Sequence, residues 1–118
     1  MLLKILKSKL HGATVTDVKV HYSGSIAIDY VLMEAADVAP YESVLIADLN
    51  NGNRLETYAV AAEAGSGEIS IFGAAARLID PKDLIIIFSF GYYSPEESKK
   101  LKPKIIVLDE NNRIKRNK

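Results

Sequence analysis

The sequence contains no cysteine or tryptophan, only two histidines, and no excess of either charge. Without cysteine, the chain can form no disulfide, thiolate metal site or thiol nucleophile. His11 and His21 are too few for a convincing metal cluster, so we predict no metal site. Fifteen basic and fifteen acidic residues give a net charge of zero, which lacks the positive field of a nucleic-acid or membrane-surface binder.

Long hydrophobic runs are also missing from the chain. No apolar stretch approaches the roughly 20 residues that a membrane helix needs. Lysine interrupts residues 1–9 every few positions, which is unlike a secretory signal peptide. We therefore expect a cytoplasmic protein with no membrane partner. With 118 residues, 48% of them apolar, the chain suits a single domain spanning residues 1–118.

The chain does contain short apolar or alternating runs separated by turn residues. They are rich in β-branched and aromatic residues, which suit a pleated, half-buried surface. Between two of them, Asn51-Gly52 predicts a hairpin turn with positive φ at both residues. So many short strands favour a small barrel over an open sheet, because closure removes exposed edges. The predicted strands are residues 2–6, 13–20, 43–48, 54–61, 68–72, 84–90 and 104–108.

Two short helices are predicted between these strands. Residues 29–38 carry apolar residues at helical spacing and end before Pro40. Ser94 is a good N-cap and Pro95 suits the first helical position, so a second helix begins there. Residues 111–118 are mostly polar and basic, which predicts a solvated, frayed tail.

A Gly-Ser step, Gly24-Ser25, lies between two strand-like segments. Taken alone, it predicts a turn whose serine forms only local hydrogen bonds. Together with motifs elsewhere, in their order and spacing, it closely resembles the aspartate 1-decarboxylase family of pyruvoyl enzymes over residues 4–108. These motifs are KLHGATVT at 9–16, HYSGSIAID at 21–29, NNGNRLETYA at 50–59 and GAAAR at 73–77.

The resemblance implies a mainly β fold: a six- to seven-stranded double-psi β-barrel with two short helices. It also implies a homotetramer with active sites between neighbouring subunits. The family precursor cuts itself at the matching bond, here Gly24–Ser25, leaving residues 1–24 and 25–118. A glycine at position 24 suits this step, because so tight a turn is expected to need a residue without Cβ.

The implied cofactor is a covalent pyruvoyl group derived from Ser25. The serine hydroxyl attacks the preceding carbonyl, the resulting ester eliminates, and hydrolysis releases ammonia and leaves the ketone. The implied activity is that of a carbon–carbon lyase that converts L-aspartate to β-alanine and CO2 for pantothenate biosynthesis. The ketone binds the substrate amine as an imine and takes up the electrons that decarboxylation releases.

The resemblance also assigns roles to side chains that would otherwise be ordinary surface or core residues. Arg54 and Lys9 bind the substrate carboxylates. Thr57 donates to the carbonyl attacked during self-cleavage, and Tyr58 is the proton donor. Because Thr57 and Tyr58 are consecutive on a strand, we expect them to face opposite sides. Both can act only if a bulge intervenes or they serve the sites of different subunits.

Further positions match the wall of the family's site. Gly73, Ala74 and Ala75 offer backbone N–H groups with no bulky side chain in the way, which suits a carboxylate, although a simple turn is equally compatible. His11 and Tyr22 match lining positions, and we expect them to pack and form hydrogen bonds.

Two residues depart from the family's pattern. Phe72 stands where asparagine is usual, and Gly12 stands where arginine is usual. Phe72 replaces a hydrogen-bonding amide with an apolar ring, unless it merely fills core space at a strand end. The alternative function is therefore a processing-defective relative that keeps the barrel and tetramer and acts as a non-catalytic binding or structural protein. Phe72 and Gly12 favour this alternative, whereas the enzyme is favoured by the retained residues Lys9, Ser25, Arg54, Thr57 and Tyr58.

Overall fold

The computed structural model describes residues 1–117. Strands account for 49% of the structure, so the prediction of a mainly β fold is confirmed. The described residues form nine strands, two α-helices and a 3-10 helix, Gly73–Arg77. The elements are β1 (Leu3–Thr14), β2 (Asp17–Lys19), β3 (Ser25–Asp29), α1 (Tyr30–Ala36), β4 (Ser43–Asp48), β5 (Arg54–Ala62), β6 (Ile69–Phe72), β7 (Leu84–Tyr93), α2 (Pro95–Lys100), β8 (Lys104–Leu108) and β9 (Ile114–Asn117).

The strands are hydrogen-bonded in the order β2-β6-β3-β5-β4-β7-β1-β8-β9. The β1–β8, β2–β6 and β3–β5 pairs are parallel, and the other five pairs are antiparallel. This mixed, crossed-over order is consistent with the double-psi β-barrel, although the nine strands in residues 1–117 exceed the six or seven predicted. The core consists of fully buried side chains from both halves of the sheet, among them Leu10, Ile26, Ile28, Leu32, Ile46, Ile71 and Ile87.

The first two predicted strands are wrong at their boundaries. The sequence predicts two separate strands, residues 2–6 and 13–20. In the structure, β1 instead continues unbroken from Leu3 to Thr14, and the short β2 follows it. Ser8 and Leu10 are fully buried while Lys9 between them is half-buried, so a period of two continues through the lysine-rich segment. The sequence did not predict one continuous strand, because a polar residue, Ser8, occupies an inward position.

Strand β3 is not among the predicted strands, although the segment after Gly24-Ser25 is strand-like, because residues 25–29 do not alternate. All five are buried, with β5 on one side and β6 on the other. Both predicted helices are confirmed. Helix α1 begins after its N-cap, Asp29, and α2 begins after Ser94, whose side chain forms a capping box with Glu97.

The predicted tail is solvated at Asn111 and residues 113–115, but the prediction that it is frayed is wrong for the residues that the structure describes. Strand β9 pairs with β8, and Asn112 before it is 2% exposed. The Asn112 side chain accepts from the Thr14 N–H and donates to the carbonyl oxygens of Thr14 and Gly67, each at 2.8 Å. This buried amide therefore ties the last hairpin to the end of β1. Lys118, also in the predicted tail, lies outside the described residues.

The carboxylate of Asp29 joins the same part of the fold. It accepts hydrogen bonds from the backbone N–H groups of Val31, Gly65 and Gly67. Burial acts to raise the pKa of Asp29, but these three donors and the nearby Arg113 outweigh burial and lower the pKa. Asp29 is therefore an ionised structural residue that joins the start of α1 to the 65–67 turn.

The predicted hairpin between β4 and β5 is present, but its turn differs from the prediction. Of the residues 49–53, only Gly52 has positive φ, at +79°. The Asp48 N–H donates to the Asn53 carbonyl, and the Asp48 carboxylate accepts from the Asn50 N–H. Burial raises the pKa of Asp48, and the nearby carboxyl group of Asp83 raises it further. The loop is thus longer than a two-residue turn and is held by side chains.

Candidate active site

A cavity of about 290 Å³ opens beside the Gly24–Ser25 step. Ser25 is the first residue of β3 and is 6% exposed. The fold thus brings together three predicted parts of the site: the cleavage step, Thr57 and the segment that follows Phe72. The residues lining the cavity include Gly24, Leu55, Thr57, Phe72, Ala74 and Ala75.

Gly73 allows the backbone to pass close to the Gly24–Ser25 step. Its φ is +79°, and a Cβ at this position would lie 2.6 Å from Gly24 Cα and 2.9 Å from Gly24 N. At Gly24, by contrast, a Cβ would have the Phe72 carbonyl oxygen as its nearest neighbour, at 3.9 Å. The expectation that position 24 needs a residue without Cβ is therefore wrong, and the requirement lies at Gly73.

Two asparagine side chains of the β4–β5 hairpin hold the 3-10 helix that begins at Gly73. Asn51 Nδ2 and Asn53 Nδ2 donate to the carbonyl oxygen of Leu78, at 3.0 and 2.9 Å. Leu78 is the C-cap of that helix. The hairpin therefore positions one wall of the cavity. The sequence predicted the turn, but a turn motif alone does not indicate which distant carbonyl its side chains reach.

Phe72 lies directly beside Ser25, because the two residues are paired on the antiparallel strands β6 and β3. Its ring stacks on Tyr22, with centroids 5.4 Å apart and an interplanar angle of 25°. Lys19 Nζ lies 4.9 Å from the centroid of the Tyr22 ring. Phe72 is half-buried in the cavity wall, so its ring packs on the segment before Gly24 rather than filling the core.

The other predicted residues lie on a different surface. Strand pairing forms two parallel rows of residues across β1, β7, β4 and β5. The first row consists of His11, Ile86, Ala47 and Arg54. The second row consists of Lys9, Phe88, Leu45 and Glu56. Residues paired in this way point to the same side of a sheet, and so do alternate residues along a strand. We call this side the cationic face; it carries Lys9, His11, Arg54 and Tyr58, together with the carboxylate of Glu56, which accepts from the Ser43 hydroxyl.

The cations of this face have no carboxylate partner among residues 1–117. The ion pairs within residues 1–117 involve Lys7, Lys19 and Arg113. In this part of the chain, no Asp or Glu oxygen lies within 4.0 Å of a side-chain nitrogen of Lys9 or Arg54. The Arg54 guanidinium lies 5.7 Å from the centroid of the Phe88 ring. His11 Nδ1 is buried and lacks a hydrogen-bond partner. The face is therefore suited to bind carboxylates from outside the chain.

Thr57 and Tyr58 face opposite sides of β5, as expected. Their pairing with Val44 and Ser43 is regular, with no bulge between them. Thr57 lines the cavity, whereas Tyr58 is 38% exposed and its ring lies near that of Tyr41. The predicted site residues thus form two groups on two surfaces of one chain.

The family model for aspartate decarboxylase matches residues 1–115. The chain belongs to the aspartate decarboxylase family. Relatives named aspartate 1-decarboxylase match nearly the whole chain. The protein of Acetivibrio thermocellus is 53% identical over 114 residues, or 97% of this chain and 90% of the relative. Those of Thermoanaerobacter pseudethanolicus and Syntrophus aciditrophicus are each 52% identical, covering 92% and 94% of this chain and 93% and 96% of the relatives.

One departure from the aspartate decarboxylase pattern has a backbone explanation. Gly12 lies at a β-bulge in β1, where the register against β7 shifts between His11 and Ala13. Its φ is +81°, a value that favours glycine over arginine. Glycine at position 12 thus suits the bulge in β1.

Two structural features are absent from the described part of this family member. None of its helices is long and apolar enough to span a membrane. Within residues 1–117, no group of three or more His, Asp or Glu side chains is placed to hold a metal ion.

Proposed function

We propose that this chain decarboxylates L-aspartate to β-alanine and CO2 for pantothenate biosynthesis. The observation that carries the proposal is the cavity in which Gly24, Thr57 and Phe72 meet beside Ser25, in a member of the aspartate decarboxylase family. Aspartate and β-alanine are water-soluble metabolites of the cytoplasm, so we also propose a cytoplasmic location.

The chain, a single domain of residues 1–118, matures by cutting itself between Gly24 and Ser25. Ser25 Oγ bonds to the Gly24 carbonyl carbon, the C–N bond breaks, and the hydroxyl proton moves to the nitrogen. Loss of the Ser25 Cα proton and cleavage of Cβ–Oγ then release residues 1–24 with a carboxylate end. Hydrolysis of the dehydroalanine left at position 25 releases ammonia. Thr57 lines the same cavity and supplies the donor that stabilises the charge on the attacked carbonyl.

The residues around position 25 fit a small covalent group. Ser25 is buried at a strand end beside the cavity, and the backbone of Gly73 passes without a Cβ. Strand β3, Thr57 and the Gly73–Ala75 segment would hold a pyruvoyl group there. When present, that group supplies a carbonyl that binds the substrate amine and takes up the electrons left by CO2.

The cationic face of a neighbouring subunit completes the site. Arg54 and Lys9 bind the two carboxylates of aspartate, and Tyr58 protonates the carbon that has lost CO2. Backbone N–H groups of Ala74 and Ala75 face the substrate, and His11 and Tyr22 line the site. The separation of the two groups within one chain supports this arrangement and the homotetramer expected from the resemblance.

Mixing two inactive variants tests the shared site. Chains with Ser25→Ala lack the cleavage nucleophile, and chains with Arg54→Ala lack the carboxylate-binding cation. Co-expressed, they should form some sites with Ser25 from one subunit and Arg54 from the other. We expect β-alanine formation well above that of either variant alone. Activity no higher than the sum of the two separate variants would contradict a site between subunits.

The alternative, a non-catalytic relative, draws support only from Phe72, and the comparisons with known proteins do not favour it. Phe72 cannot donate a hydrogen bond from its side chain, so we expect slow maturation of the purified protein, with precursor visible on a gel. One well-placed donor contributes on the order of 3 kcal/mol, or roughly 100-fold in rate. Phe72→Asn should therefore speed self-cleavage, while loss of the stack on Tyr22 lowers stability.

A matched variant separates these two effects. Phe72→Leu removes the aromatic stack without supplying a donor, so it should lower the melting temperature and leave cleavage slow. Cleavage rate and thermal unfolding are measured on both variants. Prompt and complete maturation of the wild-type protein, with Phe72→Asn only destabilising it, would make Phe72 a packing residue.

A further inference from the structure

Tyr41 has a backbone conformation that is rare for a bulky side chain. Its φ is +68°, in the left-handed region, although the residue is 76% exposed. The Tyr41 N–H donates to the Ala59 carbonyl at 2.7 Å, and the Ala59 N–H donates to the Glu42 carbonyl at 2.9 Å. These bonds extend the β4–β5 pairing beyond Ser43. They fix the backbone of Tyr41 against the residue that follows Tyr58.

Glu42 anchors the same loop, residues 39–42, to the barrel. Its carboxylate accepts from Lys7 Nζ at 3.0 and 3.1 Å, from the Ala39 N–H at 2.9 Å, and from the Ser89 hydroxyl. Burial acts to raise the pKa of Glu42, but these donors outweigh burial and lower it. Glu42 is therefore ionised at neutral pH and ties the loop to both β1 and β7.

The anchored loop presents the Tyr41 ring to the cationic face. The Tyr41 and Tyr58 rings lie 6.2 Å apart with an interplanar angle of 36°. Burial alone does not explain why a tyrosine occupies this strained position, because the residue is largely exposed. Strained residues that the surrounding structure holds in place often serve a site.

We propose that Tyr41 is a positioning residue that holds the ring of Tyr58 in the orientation needed for proton transfer. This inference rests on the role proposed above for Tyr58 in aspartate decarboxylation. Tyr41 itself touches neither the substrate nor the reacting atoms. Its effect should therefore appear in kcat and depend on the Tyr58 hydroxyl.

Tyr41→Asn separates this role from a structural one. Asparagine tolerates positive φ, so the variant should fold with a melting temperature equal to or above that of the wild-type protein. We expect kcat to fall roughly 10- to 100-fold, the order seen when a reacting group is misplaced by about 1 Å. KM should stay unchanged, and Tyr41→Phe, which keeps the ring, should retain wild-type kcat. An unchanged kcat, or a change confined to KM, would overturn the proposal.

A double-mutant cycle tests whether Tyr41 acts through Tyr58. In a Tyr58→Phe background, Tyr41→Asn should cause no further loss of kcat. The same fold loss in both backgrounds would overturn the proposal, and so would a Tyr58→Phe variant with wild-type kcat. A wild-type protein that forms no β-alanine would instead overturn the proposed function, and the Tyr41 proposal would fall with it.

Discussion

Replacing Ser25 by alanine is expected to yield a single uncut chain that folds and assembles but forms no β-alanine. Alanine has no hydroxyl to attack the Gly24 carbonyl, so neither the cleavage nor the group derived from it can arise. The substitution removes one oxygen at the start of β3, so the packing around it should be preserved. Gel electrophoresis, size-exclusion chromatography and a β-alanine assay on one preparation measure all three properties.

Ser23→Ala is the matched control for this experiment. Ser23 is exposed in the same segment, two residues before Ser25. Its hydroxyl is not part of the proposed reaction, so the control should be cleaved and active like the wild-type protein. Recovery of β-alanine production by the Ser25→Ala variant would refute the mechanism.

Arg54→Ala should cleave itself normally but lose most of its activity toward aspartate. The guanidinium lies on the cationic face, whereas the cleavage step lies beside the cavity, so the two reactions should respond differently. Removing one partner of a desolvated charge pair typically costs about 2–5 kcal/mol, or roughly 30- to 5,000-fold in kcat/KM. Steady-state kinetics on the fully cleaved variant measure the loss.

Lys99→Ala controls for the removal of a positive charge in general. Lys99 is exposed on α2 and should have no effect on kcat/KM. If Arg54→Ala also keeps a nearly normal kcat/KM, Arg54 does not bind the substrate carboxylate.

Local sequence signals predicted most elements of the fold. Alternation and turn residues located β4, β5, β6 and β8 closely. Apolar spacing before Pro40 located α1, and the capping residues Ser94 and Pro95 located α2. The missed strand β3 lacks alternation because both of its faces are buried. Strand β9 follows Asn112, whose buried side chain bonds to Thr14, 98 residues away in the chain. A local sequence pattern cannot predict a contact between residues so far apart in the chain.

The sequence proposed the residues of the candidate site and predicted that Thr57 and Tyr58 face opposite sides of their strand, but it did not indicate which residues share a surface. The motifs indicated Lys9, Thr57 and Tyr58 through the family resemblance. Their division between the cavity and the cationic face depends on strand register, which pairs residues from distant parts of the chain. For the same reason, the sequence did not indicate that Tyr41 lies beside Tyr58. The loop that carries Tyr41 is anchored through Glu42 to Lys7, which is 35 residues earlier in the chain.

The intact-mass spectrum of the purified wild-type protein tests the central claim most directly. The account predicts two species, residues 1–24 and residues 25–118. The larger should be lighter by one ammonia than the same chain with an N-terminal serine. The proportion of uncut chain should fall with time, and β-alanine formation should rise with the cleaved fraction. A single species at the full 13.0 kDa that persists while the protein produces β-alanine would contradict the account.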